Sequence, residues 1–197
     1  MTRHRGMSLV ELLAVLVLMG ILTSALLPTG AEMIADARAA AGAREMAATL
    51  QAMRWKAVSS NSTHGLFFDR DAKGWHWSVV RDGNGNGLRT SEVRDGTDPR
   101  VSGVHRMEDR VDGMYLGFPP VQRVPAIPPR SGSISNLADP VKFGNSNLIS
   151  FSSSGTASSG TLYLTDRRHA LRAVVLFGPA VRVRVWRFDT REERWKL

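Results

Sequence analysis

Glu11 is the one charged side chain in the run MSLVELLAVLVLMGILTSALL, residues 7–27. Placing a carboxylate in hydrocarbon costs about 3 kcal/mol unless it reaches the interface or finds a partner. Glu11 lies near the start of the run, so it either snorkels to the polar boundary or pairs with a positive group. A second set of residues lies in DGNGNG, 82–87. Asp82, Asn84, Asn86 and Gly87 have the spacing that opens a calcium loop, but Val93 stands where the bidentate carboxylate belongs and Glu92 comes one residue early. Asn-Gly repeats are also what a tight hairpin turn requires, and a plain turn is the reading adopted. A third set is VRVRVWRF, 181–188. As a strand it places Arg182, Arg184, Trp186 and Phe188 on one face and Val181, Val183, Val185 and Arg187 on the other. Arginine forms planar, bidentate contacts with phosphate, and aromatic rings stack on bases, so Arg182, Arg184 and Arg187 are candidate nucleic-acid contacts. The alternative is a solvated face that protects a sheet edge. Arg167, Arg168, Arg172, Arg191, Arg194 and Trp195 extend the basic theme.

Other chemistry is weakly represented. The chain has no cysteine, which excludes thiol catalysis and thiolate metal sites. His4, His64, His76, His105 and His169 are scattered, with no HExxH pair and no Gly-x-Ser-x-Gly elbow. Asp69 and Asp71 read as turn residues. The sequence therefore points away from an enzyme, with no cofactor and no metal expected. Its net charge of +8 comes from 26 Lys and Arg against 18 Asp and Glu. That charge fits a basic surface for an anionic partner, and equally a solubility bias.

These residues need elements to hold them. Residues 7–27 would span about 31 Å as a helix, the thickness of a bilayer core. Arg3 and Arg5 precede the run, which keeps the N-terminus in the cytoplasm and exports the rest. Beyond Pro28, the positions Ala39, Ala43, Met46, Leu50, Met53 and Ala57 recur at alternating four- and three-residue steps, one face of an amphipathic helix that should stop near 59–61. Pro28 should bend the combined helix. Short apolar segments follow at 65–68, 75–80, 114–118, 148–151, 161–165, 171–177 and 181–188, punctuated by Gly and Asn as strands are. Residues 118–160, rich in Pro, Ser, Gly and Asn, predict a long, exposed and flexible connection.

The stretch Gly6-Met7-Ser8-Leu9-Val10-Glu11-Leu12 resembles the type IV prepilin signal. Gly20 and Pro28 agree with that family too, while methionine at Met7 departs from its commoner phenylalanine. The resemblance implies cleavage between Gly6 and Met7 by a prepilin peptidase, N-methylation of Met7, and an assembly role for Glu11. Within a filament, the Glu11 carboxylate would pair with the Met7 ammonium of a neighbour. The segment Arg54-Trp55-Lys56-Ala57 and the closing strands Ala173 to Phe177 and Val181 to Val185 are similar to the GspH/FimT family of minor pseudopilins. Pro179-Ala180 after Gly178 departs from a compact Gly-Arg-x-Arg turn.

The expected fold is α+β and pilin-like: a long N-terminal helix packed on a C-terminal antiparallel β domain. Residues 1–6 would be the cleaved leader, 7–28 the transmembrane and filament-core helix, 29–61 the amphipathic helix and 62–197 the periplasmic domain. The expected protein is a single-pass bacterial inner-membrane subunit that passes into a type II secretion pseudopilus or a type IV pilus. Its partners would be the prepilin peptidase, other (pseudo)pilin subunits and the inner-membrane assembly platform. Binding of DNA during uptake is the alternative function, since some members of the FimT-like group bind DNA through arginines near this turn.

Overall fold

The computed structural model describes the backbone of residues 8–197, and the side chains of all of these except 24–31. Gly6 and Met7, the expected cleavage pair, lie outside the described residues. The chain divides into two compact units, Met1–Ala37 and Arg38–Leu197. One helical element, α1 (Leu9–Ser59), belongs partly to each, and Pro28 falls inside it without ending it.

In the first unit, the described large apolar side chains of α1 are exposed, from Val15 at 45% to Leu9 at 77%. Among the described residues, no helix is long and apolar enough to cross a membrane. Residues 24–27 of the apolar run are among those whose side chains are not described.

The second unit has a layered core. Ala39, Ala43, Met46, Leu50, Met53 and Ala57 are all buried, so the stripe read from the spacing is the face α1 turns to the sheets. Against it lie Leu66 and Phe68 of β1 (His64–Asp71), Trp77 and Val79 of β2 (Gly74–Arg81), and Ile149 and Phe151 of β5 (Leu148–Phe151). These strands form a sheet in the order β2-β1-β5. Its opposite face carries Phe67, Val80 and Leu148, covered by Val93 of the short helix α2 (Thr90–Asp95).

A larger sheet runs β3-β6-β7-β8-β9, with β4 also paired to β6. Its strands are β3 (Tyr115–Leu116), β4 (Val141–Lys142), β6 (Gly160–Thr165), β7 (Leu171–Phe177), β8 (Arg182–Asp189) and β9 (Arg194–Lys196). Every pairing in both sheets is antiparallel. Leu162, Leu164, Val174 and Leu176 complete the core under α1. The architecture is the α+β arrangement expected, a long helix followed by antiparallel sheets.

Two local features differ from the sequence reading. β8 begins at Arg182, because Val181 adopts a left-handed conformation (φ 43°, ψ 43°) that closes a 3-10 turn over Gly178–Ala180. Residues 118–160 are also not simply exposed. Val124 is fully buried, and Phe118, Val121, Ile127, Ile134 and Leu137 pack with Tyr163, Leu171, Ala173, Phe188 and Trp195 as a second apolar cluster. The prolines extend this segment while the residues between them bury area, so packing on the sheet outweighs the composition.

Candidate functional site

Ser8 precedes the first helical residue, and its backbone N–H donates to Glu11 Oε2 at 3.2 Å. The spacing Ser8-x-x-Glu11 is half of a capping box: a side chain three residues into the helix reaches back to an amide that the helix cannot satisfy. Glu11 thus has a local hydrogen-bond partner and stands near the negative-preferring end of the helix. Its apolar neighbours Leu9, Val10, Leu12 and Leu13 are all exposed. Contiguous exposed apolar surface of this kind marks an interaction site.

The 82–87 loop is an organised turn. Asp82 Oδ1 accepts from the N–H of Asn84 (3.2 Å) and of Gly85 (2.7 Å), and its Oδ2 from that of Gly87 (2.8 Å). Glu92 receives the side-chain amides of Asn84 (3.2 Å) and Asn86 (3.0 Å). Asp98, fully buried, fixes the base of the loop by accepting from Gly83 and Arg89 backbone amides. Gly85 and Gly87 have φ of 81° and 87°, the left-handed region that glycine enters without cost. Among the described residues, no group of three or more His, Asp or Glu is placed to hold a metal ion.

The three candidate arginines of β8 do not share one surface. Arg182 pairs with Phe177 and Arg184 with Val175 on the outer face of the larger sheet. Farther along the same face, Trp186 and Phe188 meet the second apolar cluster built by the 118–137 segment. Arg182 and Arg184 are exposed beyond that cover, beside Phe177, which is 56% exposed. β9 pairs only with Arg187 to Asp189, so residues 182–186 form a sheet edge. Arg187 lies on the opposite face, in register with Arg172 on one side and Lys196 on the other.

The turn that carries Arg182 is tightly held. Gly178 accepts the Ala157 N–H at 3.1 Å and donates its own N–H to Ser159 Oγ at 2.9 Å. Gln51 of α1 donates to the Val181 carbonyl at 3.5 Å. Val181 is a β-branched residue in a region such residues rarely occupy. Its buried side chain and these tethers over-determine the conformation.

One cluster was not visible in the sequence. Asp71 ion-pairs with Arg106, and His76 Nδ1 stands 3.6 Å from the same carboxylate. The Arg106 hydrogen bond lowers the Asp71 pKa. The pair joins residues far apart in the chain, so no local spacing could announce it; Asp71 keeps its turn role by accepting from Lys73 and Gly74 amides. Trp55 of α1, part of the Arg54-Trp55-Lys56-Ala57 segment that carried the resemblance, is 68% exposed.

Two family models match the chain: the prokaryotic N-terminal methylation motif over residues 1–27, and the type II transport protein GspH over residues 42–180. No curated protein matches it. Among solved structures, it is similar to the minor pseudopilin EpsH from the Type 2 Secretion System of Vibrio cholerae. The TM-score is 0.44 at 13% identity, covering 75% of this chain and 94% of that one.

Proposed function

The chain belongs to the type II transport protein GspH family, and we propose that it is a minor pseudopilin that enters or initiates the pseudopilus of a type II secretion system. The observation that carries this is the presence, in one chain, of the methylation motif at 1–27 and the GspH domain at 42–180. On this reading residues 1–6 are removed by the prepilin peptidase and Met7 is N-methylated. Residues 7–28 anchor the chain in the inner membrane and later in the filament core, where neighbouring subunits and the assembly platform meet it. The exposed apolar side chains from Leu9 to Leu22 fit such an environment. The unit Arg38–Leu197 would be periplasmic, and the protein has a structural role, with its chemistry supplied by the peptidase.

The Glu11 carboxylate would exchange its Ser8 amide for the Met7 ammonium of an adjacent subunit, a charged donor roughly twice as strong as a neutral one. The test is mass analysis of the mature N-terminus after co-expression with a prepilin peptidase. The expected chain begins at methylated Met7; a start at any other residue overturns the reading. Glu11→Ala should be cleaved normally and fail to enter filaments.

A second reading, DNA binding, is favoured by one observation: Arg182 and Arg184 stand exposed on a bare sheet end beside the exposed Phe177. Two guanidinium groups and a ring suit phosphate contact and base stacking. Full chain in neutral detergent, titrated with short single-stranded DNA, should then bind with steep salt dependence, and Arg182→Ala/Arg184→Ala should weaken it. Arg187, on the other face, should contribute little. Binding that is absent at low salt, or indifferent to the two substitutions, removes this reading.

A further inference from the structure

We propose that the 82–87 loop is a latent deamidation site, with Asp82 and Glu92 acting as a double latch that keeps Asn84 and Asn86 from converting to aspartate and isoaspartate. Asn84-Gly85 and Asn86-Gly87 are Asn-Gly pairs on an exposed loop. That sequence is the one in which the following backbone nitrogen, unhindered by a Cβ, most readily attacks the side-chain amide. The nitrogen loses its proton, a bond forms from it to Cγ, and the amide NH₂ leaves as ammonia with a proton. Water then opens the resulting succinimide at either carbonyl.

Both attacking nitrogens are tied to one carboxylate. Gly85 N–H donates to Asp82 Oδ1 at 2.7 Å and Gly87 N–H to Asp82 Oδ2 at 2.8 Å. An amide hydrogen held by a carboxylate is harder to remove, because the anion left behind would face a like charge. Each pKa unit by which that N–H is made less acidic slows the attack about tenfold.

Both leaving groups are tied to the other carboxylate. Asn84 Nδ2 donates to Glu92 Oε2 at 3.2 Å and Asn86 Nδ2 to Glu92 Oε1 at 3.0 Å. For Cγ to reach the backbone nitrogen, the side-chain amide must turn out of the position in which its bond to Glu92 holds it. Two further bonds hold the frame: Asn86 N–H to Asn84 Oδ1 at 3.1 Å, and Asp82 N–H to the Thr63 carbonyl at 2.9 Å. The glycines that give the turn its left-handed residues thus create the chemical liability, and the two acidic residues contain it.

The test uses the full chain in detergent micelles with a chelator present, so that only protein groups restrain the loop. Samples are held at mildly alkaline pH, and peptide mass mapping follows the gain of aspartate and isoaspartate at 84 and 86. The folded wild type should deamidate at least about tenfold more slowly than the same chain in denaturant, one pKa unit of restraint being worth that much. Asp82→Ala and Glu92→Gln, each shown by circular dichroism to keep the fold, should recover most of the denatured rate at both asparagines. Equal rates in folded and unfolded wild type overturn the proposal. So does a folded Glu92→Gln and a folded Asp82→Ala that both stay as slow as wild type, since general rigidity would then account for the protection. Should Asp82→Ala fail to fold, the Glu92→Gln comparison alone decides.

Discussion

Asp189 holds its proton far less tightly than the ordinary aspartate value of 3.8, at about 2. The main cause is Lys196, whose Nζ donates to Oδ2 at 2.7 Å; the backbone amides of Glu192 and Arg191 add to it. Lys196 is correspondingly raised, chiefly by Asp189. A carboxylate depressed in the folded state contributes stability above its unfolded pKa, and that contribution is lost as pH falls through the folded value. The β8–β9 hairpin should therefore loosen between about pH 4 and pH 2. Comparing the acid unfolding of wild type and Asp189→Asn checks this: the variant should lack the dependence in that window, and matching curves would refute it. Gly178 poses a steric question instead. A Cβ there would overlap the Ala157 carbonyl oxygen and come within 2.9 Å of the Ser158 carbonyl carbon. Both neighbours are backbone and cannot rotate away, so Gly178→Ala should cost about 1–3 kcal/mol, read as a lower urea midpoint at unchanged slope.

At the scale of elements, α1 makes one wall of the core in the second unit, and its buried stripe sets what each residue contributes. Leu50 is fully buried among sheet side chains, and Leu50→Ala should lose about 2–5 kcal/mol, whereas Ala52→Ser on the exposed side should change stability by less than about 0.5 kcal/mol. Chemical denaturation of the two variants measures the contrast. The stripe was readable because a helix repeats its face every three or four residues, so local spacing carries the whole signal. The same holds for β1, β2 and β7, whose apolar runs lie between turn residues. The short strands β4 and β9 were not readable: Val141–Lys142 and Arg194–Lys196 become strands by pairing with β6 and β8, which no local pattern records. Nor was the fate of the 118–137 segment. Trp195 of β9 donates its indole N–H to the Pro125 carbonyl at 2.8 Å and sets its ring at a tilt against those of Phe188 and Tyr163. Of the candidate arginines, alternation correctly separated Arg187 from Arg182 and Arg184, but it could not show that aromatic cover ends just before Arg184. Trp195→Ala should release the segment, seen as faster limited proteolysis between 118 and 137 while cleavage of the 82–87 loop stays unchanged.

For the whole molecule, the division at Arg38 separates two kinds of physics. Among the described residues, the unit Arg38–Leu197 contains all three buried apolar clusters, together with both sheets that enclose them. Met1–Ala37 contributes no described residue to any of them. A chain that begins at Arg38 should therefore unfold cooperatively in water without detergent. A chain that begins at Asn61 should not, because it lacks the wall from Ala39 to Ala57. Leu66, Phe68, Trp77, Ile149, Phe151 and Leu162 would then lose their cover, and each buried side chain of this size accounts for about 1.5–3 kcal/mol. Their sum is comparable to the whole 5–15 kcal/mol by which domains are usually stable. Nor would the missing helix be supplied without cost as a peptide, since its backbone and side chains must be ordered as it binds. Near-ultraviolet circular dichroism during heating distinguishes the two chains through the buried Trp77: a sharp loss of signal is expected for the first and a featureless drift for the second. A sharp transition in the shorter chain would mean that the sheets close on one another without the helix. The buried stripe of α1 would then be a docking surface for an already folded domain, and Leu50→Ala would weaken docking without unfolding the sheets.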